Sequence, residues 1–190
     1  MTRAPRALAL GVGAVAMLAA ALITQEKMFY RNRRPTRAGR TLNRWWARAY
    51  GLGLLPSFLV SLETVGRRSG ERRVNALVRA DYEGRQYLVS MLGDRAEWVR
   101  NARARQGAAT IRHGRRTLIR LEEVPVDERA PILKAYLSRA RGARRHFTVP
   151  HDASIETFGV VARDYPVFRI LPDTPNLGPK PISAESVPTR

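Results

Sequence analysis

Through the middle of this chain apolar and polar positions alternate with a period of two, and helical spacing is confined to short stretches around that alternation. The apolar run Phe58 to Leu62 predicts a strand over 57–64 that stops at Gly66. Val74, Ala76 and Val78 alternate with Asn75, Leu77 and Arg79, which predicts a second strand over 73–81. Glu83-Gly84 is a hairpin signal, and Tyr87, Val89 and Met91 alternate through a third strand over 85–92. Gly93-Asp94 breaks that pattern. Residues 97–106 then have the spacing of a short helix, with Asp94 or Ala96 near its cap and Gly107 at its end. Strands over 109–113 and 116–124 meet across His113-Gly114-Arg115. Ile132, Leu133, Tyr136 and Leu137 mark the apolar face of a helix over 127–141 that Asp127 can cap. A helix over 153–164 leads to a closing strand over 166–171. Five or six antiparallel strands, with one helix between the third and fourth and more before the last, describe a mainly β fold with flanking helices, a small closed or split β-barrel.

Ahead of this domain the pattern changes. Ala7 to Ile23 contain no charge, a length at the short end for a membrane span. Arg3 and Arg6 precede the segment, whereas Lys27, Arg31, Arg33, Arg34, Arg37 and Arg40 follow it. The excess of basic residues beyond the segment predicts a retained N-terminal membrane-anchor helix with the folded domain on the cytoplasmic side of the cell membrane. A cleaved signal peptide, or a true start at Met28, are the rival readings. In residues 28–56 Leu42, Trp45, Trp46, Ala49 and Tyr50 recur at helical spacing among arginines. Such a helix packs its rings onto the domain, or holds them at a membrane interface with the arginine stems, and both can be true of one helix. The chain thus divides into an apolar segment (1–27), a basic aromatic connection (28–56), the barrel domain (57–171) and a proline-rich tail (172–190).

Charge and composition narrow the chemistry. There are 34 Lys+Arg against 16 Asp+Glu, a formal charge of +18, so the chain attracts anions: nucleic acid, anionic lipid or a polyanionic cofactor. No cysteine is present, which excludes disulfides and thiolate chemistry, and the three histidines, His113, His146 and His151, do not pair with carboxylates at ligand spacing, so no metal is expected. No G-x-G-x-x-G follows a strand, and no Walker loop, G-x-S-x-G or H-E-x-x-H occurs. What stands out is the bend between the first two strands. Arg67, Arg68, Arg72 and Arg73 crowd a Ser69-Gly70 turn, where glycine admits a close approach and guanidinium forks pair with phosphate or carboxylate.

Thr64-Val65-Gly66-Arg67-Arg68-Ser69-Gly70 followed by Arg73 resembles the T-x-G-R-[KR]-S-G-x-x-R corner of deazaflavin-dependent nitroreductases. Ser90 to Gly93, then Trp98-Val99-Arg100-Asn101, is similar to that family's S-x-x-G…W-x-x-N segment, and His113 to Arg116 and Tyr165 to Arg169 look like a subgroup of it. The resemblance covers roughly residues 57–171. It implies the split β-barrel of flavin-binding oxidoreductases and the cofactor F420, an 8-hydroxy-5-deazaflavin with a phosphate and an oligoglutamate tail. By match, Arg67, Arg68, Ser69 and Arg73 would hold the phosphate, with Arg72 toward the glutamates or solvent. Ser90, Met91 and Gly93 would run beside the deazaflavin ring. Trp98 would wall the ring pocket, or cover one end of the barrel as a core ring. Asn101 would bond the cofactor or the backbone, or tie helix to strand. Where the family often carries lysine, this chain has Met91 and Leu92, with Arg95 as the substitute cation.

The implied reaction is hydride transfer from F420H2 to a quinone, nitro or enone acceptor, the cofactor carrying the chemistry and the protein supplying position and charge. Tyr136 and Tyr165 are the candidate proton donors. A membrane anchor points to lipid-soluble acceptors such as menaquinone. Two other readings stay open: a split barrel for FMN, haem or a fatty acid, and a basic nucleic-acid-binding module using its aromatic rings.

Overall fold

Residues 30–31, 34–35, 37–53 and 55–173 are described by the structure, a computed structural model. The expected anchor and most of the tail lie outside the described residues; among the described residues, no helix is long and apolar enough to cross a membrane. Two short strands, β1 (Tyr30–Arg31) and β2 (Arg34–Pro35), pair with each other ahead of helix α1 (Arg37–Gly51).

The alternating segments become β3 (Leu59–Val65), β4 (Arg72–Tyr82), β5 (Arg85–Val89), β6 (Ala108–His113), β7 (Arg115–Glu123) and β8 (Val167–Pro172). All pair antiparallel in the cyclic order β3-β4-β5-β8-β7-β6, and β3 closes the ring on β6 with Ser61 opposite Arg112 and Glu63 opposite Thr110. Alternation sorts side chains to two cores. Val60, Leu62, Leu88, Ile119, Leu121 and Phe168 fill the barrel, and helix α2 (Glu97–Ala104) caps it with Trp98, Val99 and Ala102. On the opposite face of β4, β5 and β8, Ala80, Tyr87, Val89 and Val167 meet helices α3 (Arg129–Arg139) and α4 (Ile155–Val161) in a second, outer core. Each fully buried large aliphatic or aromatic side chain stabilises these cores by roughly 1.5–3 kcal/mol.

Two local expectations are corrected. Asp127 does not cap α3: Val126–Glu128 form a separate 3-10 turn, and the helix starts at Arg129 with no side-chain cap. Arg129 is buried and ties the helix start to its surroundings, its guanidinium donating to the carbonyls of Val124 (2.8 Å) and Ala162 (3.4 Å) and to Glu123 (3.0 Å). Burial pulls its pKa down while the neighbouring Glu123 carboxylate holds it up. Ser154 caps α4, its Oγ accepting from the Thr157 N–H at 3.3 Å. Finally, α1 does not pack its tryptophans. It buries Gly39, Ala47 and Gly51, and Asn43, which completes their spacing of four on the same side, reaches Asn75 (3.4 Å) and the Ala76 N–H (3.2 Å) on β4. Small residues let the helix backbone lie close to the sheet, which leaves no room for rings between them.

Candidate active site

The bend between β3 and β4 is a tight turn over residues 66–71. Gly70 N–H donates to the Gly66 carbonyl at 2.9 Å, and Gly66 N–H to that of Glu71 at 2.8 Å. The turn is fixed to α2 by Asn101, which is 2% exposed. Its Oδ1 accepts from the Arg67 N–H at 3.1 Å and from the Arg67 guanidinium at 3.3 Å, and its Nδ2 donates to Thr64 Oγ1 at 3.4 Å. Asn101 is therefore the helix-to-strand tie, with its amide spent on the protein.

The four corner arginines differ in what they touch. Arg67 is half-buried and pairs with Glu97 at 2.6 Å. Arg73 pairs with Glu71 at 2.8 Å and donates to Ser69 Oγ at 3.4 Å. Arg72 turns to the outer face of the barrel, where it and Arg116 converge on the buried Glu63 at 3.3 and 2.8 Å. Arg68 is exposed and makes no hydrogen bond or ion pair among the described residues. Glu97 titrates below its ordinary range because the Arg67 guanidinium is hydrogen-bonded to it, with Arg100 and Arg68 adding attraction. The carboxylates of Glu71, Glu97 and Glu63 are the site residues that motif matching missed. Glu71 lies inside the motif itself. Glu97 was visible as an acidic residue in the first turn of a helix, four before Asn101.

The Ser90–Gly93 segment follows β5 at the same side of the fold as α2. Ser90 N–H donates to the Pro166 carbonyl at 2.9 Å and its Oγ to the Gly93 carbonyl at 2.8 Å, so this buried serine shapes the loop. Gly93 has φ +68°, and a Cβ there would stand 2.9 Å from the Asp164 carbonyl oxygen, so only glycine fits. Met91 and Leu92 are half-buried against the outer and inner cores respectively, and Arg95 is exposed. Trp98 lies inside the barrel, edge-on to Phe168 with ring centroids 5.4 Å apart, which is the core placement of the two expected for it.

The two tyrosines lie elsewhere. Tyr165 is fully buried, stacked on Phe147 at 3.8 Å, and its hydroxyl donates to the His146 carbonyl at 3.0 Å. Tyr136 packs beside Phe147 in the same outer core, 3% exposed. The structure gathers Arg67, Arg68, Ser69, Arg73 and Asn101 at the corner and leaves Tyr136 and Tyr165 under α3 and α4. His113 sits half-buried at the β6–β7 turn with Nδ1 3.2 Å from the Leu59 carbonyl oxygen. Among the described residues, no group of three His, Cys, Asp or Glu side chains could hold a metal ion.

Chemically, the corner offers guanidiniums, a hydroxyl and turn backbone at an exposed edge, a donor set for phosphate or carboxylate. No protein of curated function matches the chain. Among solved structures it is similar to an F420-H2-dependent reductase at 19% identity, TM-score 0.41, over 60% of this chain and 93% of that one. A conserved hypothetical protein from Mycobacterium tuberculosis (16% identity, TM-score 0.42, 69% and 86% covered) and a heme binding protein from Mycobacterium smegmatis (18%, 0.41, 73% and 51%) are similar to the same degree. With TM-scores below 0.5, none of these likenesses bears on function. The model of one family, F420H(2)-dependent quinone reductase, matches residues 29–148, which span the corner, the Ser90–Gly93 segment and α2. The chain belongs to the F420H(2)-dependent quinone reductase family.

Proposed function

We propose that this chain is an F420H2-dependent oxidoreductase whose acceptor is a quinone of the menaquinone type, with nitro and enone compounds as further acceptors. The family supplies the cofactor, F420. The observation that carries the reading onto this chain is Arg68, an exposed guanidinium with no hydrogen-bond or ion-pair partner among the described residues, set on a turn beside Arg67, Ser69 and Arg73.

That donor set fits a phosphate with an anionic tail. Gly66 adds to the fit: a Cβ there would come within 2.8 Å of Ser69 Oγ, so the glycine leaves room for a hydroxyl that accepts from the Glu71 N–H and the Arg73 guanidinium and keeps its own proton to donate to a ligand. Arg67, Arg68, Ser69 and Arg73 would hold the phosphate. The Ser90–Gly93 backbone would border the ring, its path fixed by the serine's bond to Gly93 and by Pro166. When bound, the cofactor supplies a hydride donor that favours two-electron over one-electron chemistry. The rest falls to the chain: anchoring the anionic end in one orientation, so that acceptor and donor meet at about 3–3.5 Å, and holding Arg67 in register through Asn101. The proton that completes reduction comes from solvent, since the Tyr165 hydroxyl is committed to His146 and Tyr136 lies in the core.

The test is a fluorescence titration of F420 with the full chain, repeated with Arg68→Ala and Arg73→Ala combined, followed by F420H2 oxidation with menaquinone. Saturable binding should weaken at least tenfold in the double variant and fall with salt, since exposed charges are screened within ~10 Å at moderate ionic strength. Binding that the double variant leaves unchanged would remove the corner from the site, and tight binding without quinone turnover would reassign the acceptor.

A further inference from the structure

Helix α1 is amphipathic in reverse. Its small residues face the barrel, and its large ones face out: Trp45 is 64% exposed, Leu52 60% and Trp46 38%. Arg44 and Arg48 share that outward side, with the Arg48 guanidinium 5.4 Å over the Trp45 ring. No Asp or Glu occurs anywhere from Lys27 to Leu62. An exposed tryptophan is costly to leave in water, and here two stand side by side among cations.

We propose that this face of α1 is a docking surface for an anionic lipid bilayer, laid flat on the headgroups. Indole rings and arginine stems are the side chains that suit the boundary between headgroup and acyl chain, apolar body inward and polar tip outward. Leu52 extends the apolar stripe to the end of the helix. Charge decides between lipid and a second copy. Two copies meeting through this face around a twofold axis would bring Arg44 and Arg48 against their own counterparts, with no carboxylate on the helix to separate them. An anionic bilayer has the opposite sign and no such conflict. Because α1 is tied to β4 through Asn43, docking would hold the barrel wall and its arginine bend near the membrane surface.

The experiment uses the full chain and its only tryptophans, Trp45, Trp46 and Trp98. Sedimentation with vesicles would not separate α1 from the apolar segment before it, but ring depth does. On vesicles of phosphatidylcholine with phosphatidylglycerol, emission should shift to the blue and be quenched by lipids brominated on the acyl chain. The Trp45→Phe/Trp46→Phe variant, which retains only the barrel-interior Trp98, should lose that quenching. Arg44→Gln and Arg48→Gln should each lower the ratio of docked to undocked emission about fivefold, the ~1 kcal/mol that a basic residue contributes near an anionic surface. Three results would overturn the proposal: tryptophans on vesicles as open to aqueous iodide as in solution, a blue shift that follows protein concentration without lipid, or one produced by a single-stranded oligonucleotide in place of vesicles.

Discussion

The corner at Arg67–Arg73 and the aromatic cluster at Tyr136, Phe147 and Tyr165 are both rich in groups that enzymes use, and they are built in opposite ways. At the corner the polar groups stand at the surface, each arginine but Arg68 leaning on a carboxylate of the chain. In the cluster the rings are sealed, stacked 3.8 Å apart, and the Tyr165 hydroxyl is committed to a backbone carbonyl. A reactive group must reach its partner: the arginines stand where a ligand can meet them, whereas the tyrosines are buried. Residue type alone does not distinguish these roles; burial and hydrogen-bond partners do.

The largest expected effect breaks the sealed side. Tyr165→Ala should destabilise the fold by about 3–5 kcal/mol, the usual loss for a buried aromatic ring, as measured by urea denaturation. Tyr165→Phe keeps the ring and removes one hydrogen bond, a loss of about 0.5–1.5 kcal/mol, and should leave turnover close to that of the parent. A folded Tyr165→Phe protein that no longer oxidises F420H2 would break the comparison by making the hydroxyl catalytic. Next in size is Asn101→Ala. It leaves the Arg67 N–H without its acceptor at the buried root of the turn and should cost about 1–3 kcal/mol. Because the same change frees the turn, F420 affinity should fall with it, and the loss should exceed that of a variant equally destabilised in the outer core.

The smallest effect sharpens the exposed side. The Glu97 carboxyl is held below its ordinary pKa of 4.5, mainly by the hydrogen bond from Arg67. The stabilisation from that pair is therefore fully present above the ordinary value and is lost as pH falls through the depressed one. Glu97→Gln should remove this acid-side loss and cost about 0.2–1 kcal/mol at neutral pH, as expected for an exposed pair. The variant should also bind F420 somewhat more tightly, since Arg67 no longer has a competing carboxylate. Equal stability profiles from pH 3 to 7 for parent and variant, roughly the range where carboxylates titrate, would show that the pair contributes nothing.

Much of the fold was legible because two-residue periodicity and turn chemistry act locally. Val74 to Arg79 alternate because one side faces the barrel and the other its helices, and Glu83-Gly84 turns the chain whatever lies around it, with both residues at positive φ. Helix α1 was placed, but of the two orientations open for its rings the packed one does not hold for the tryptophans. Hydrophobic size drew attention to Trp45 and Trp46, while the stripe that packs, Gly39, Ala47 and Gly51, is defined by smallness and carries little hydrophobic signal. At the corner the arginines were visible as a motif. Their carboxylates were not, since Arg67 meets Glu97 across thirty positions and Arg116 meets Glu63 across fifty-three, distances that only the closed barrel brings together. Tyr136 and Tyr165 illustrate the same limit, because a buried tyrosine and an exposed one look alike in a sequence.

One contact at the end of α1 bears on how this protein can be taken apart and rebuilt. Gly53, at φ +75°, lies so near the β6–β7 hairpin that a Cβ would stand 2.7 Å from the Gly114 nitrogen, which itself donates to the Gly51 carbonyl at 3.0 Å. The end of the helix and the tip of the hairpin are thus one joint made from two distant pieces of chain, and Gly53 cannot gain a side chain unless the hairpin moves. Relatives that exchange their N-terminal modules, in nature or by gene fusion, would have to exchange the hairpin as well.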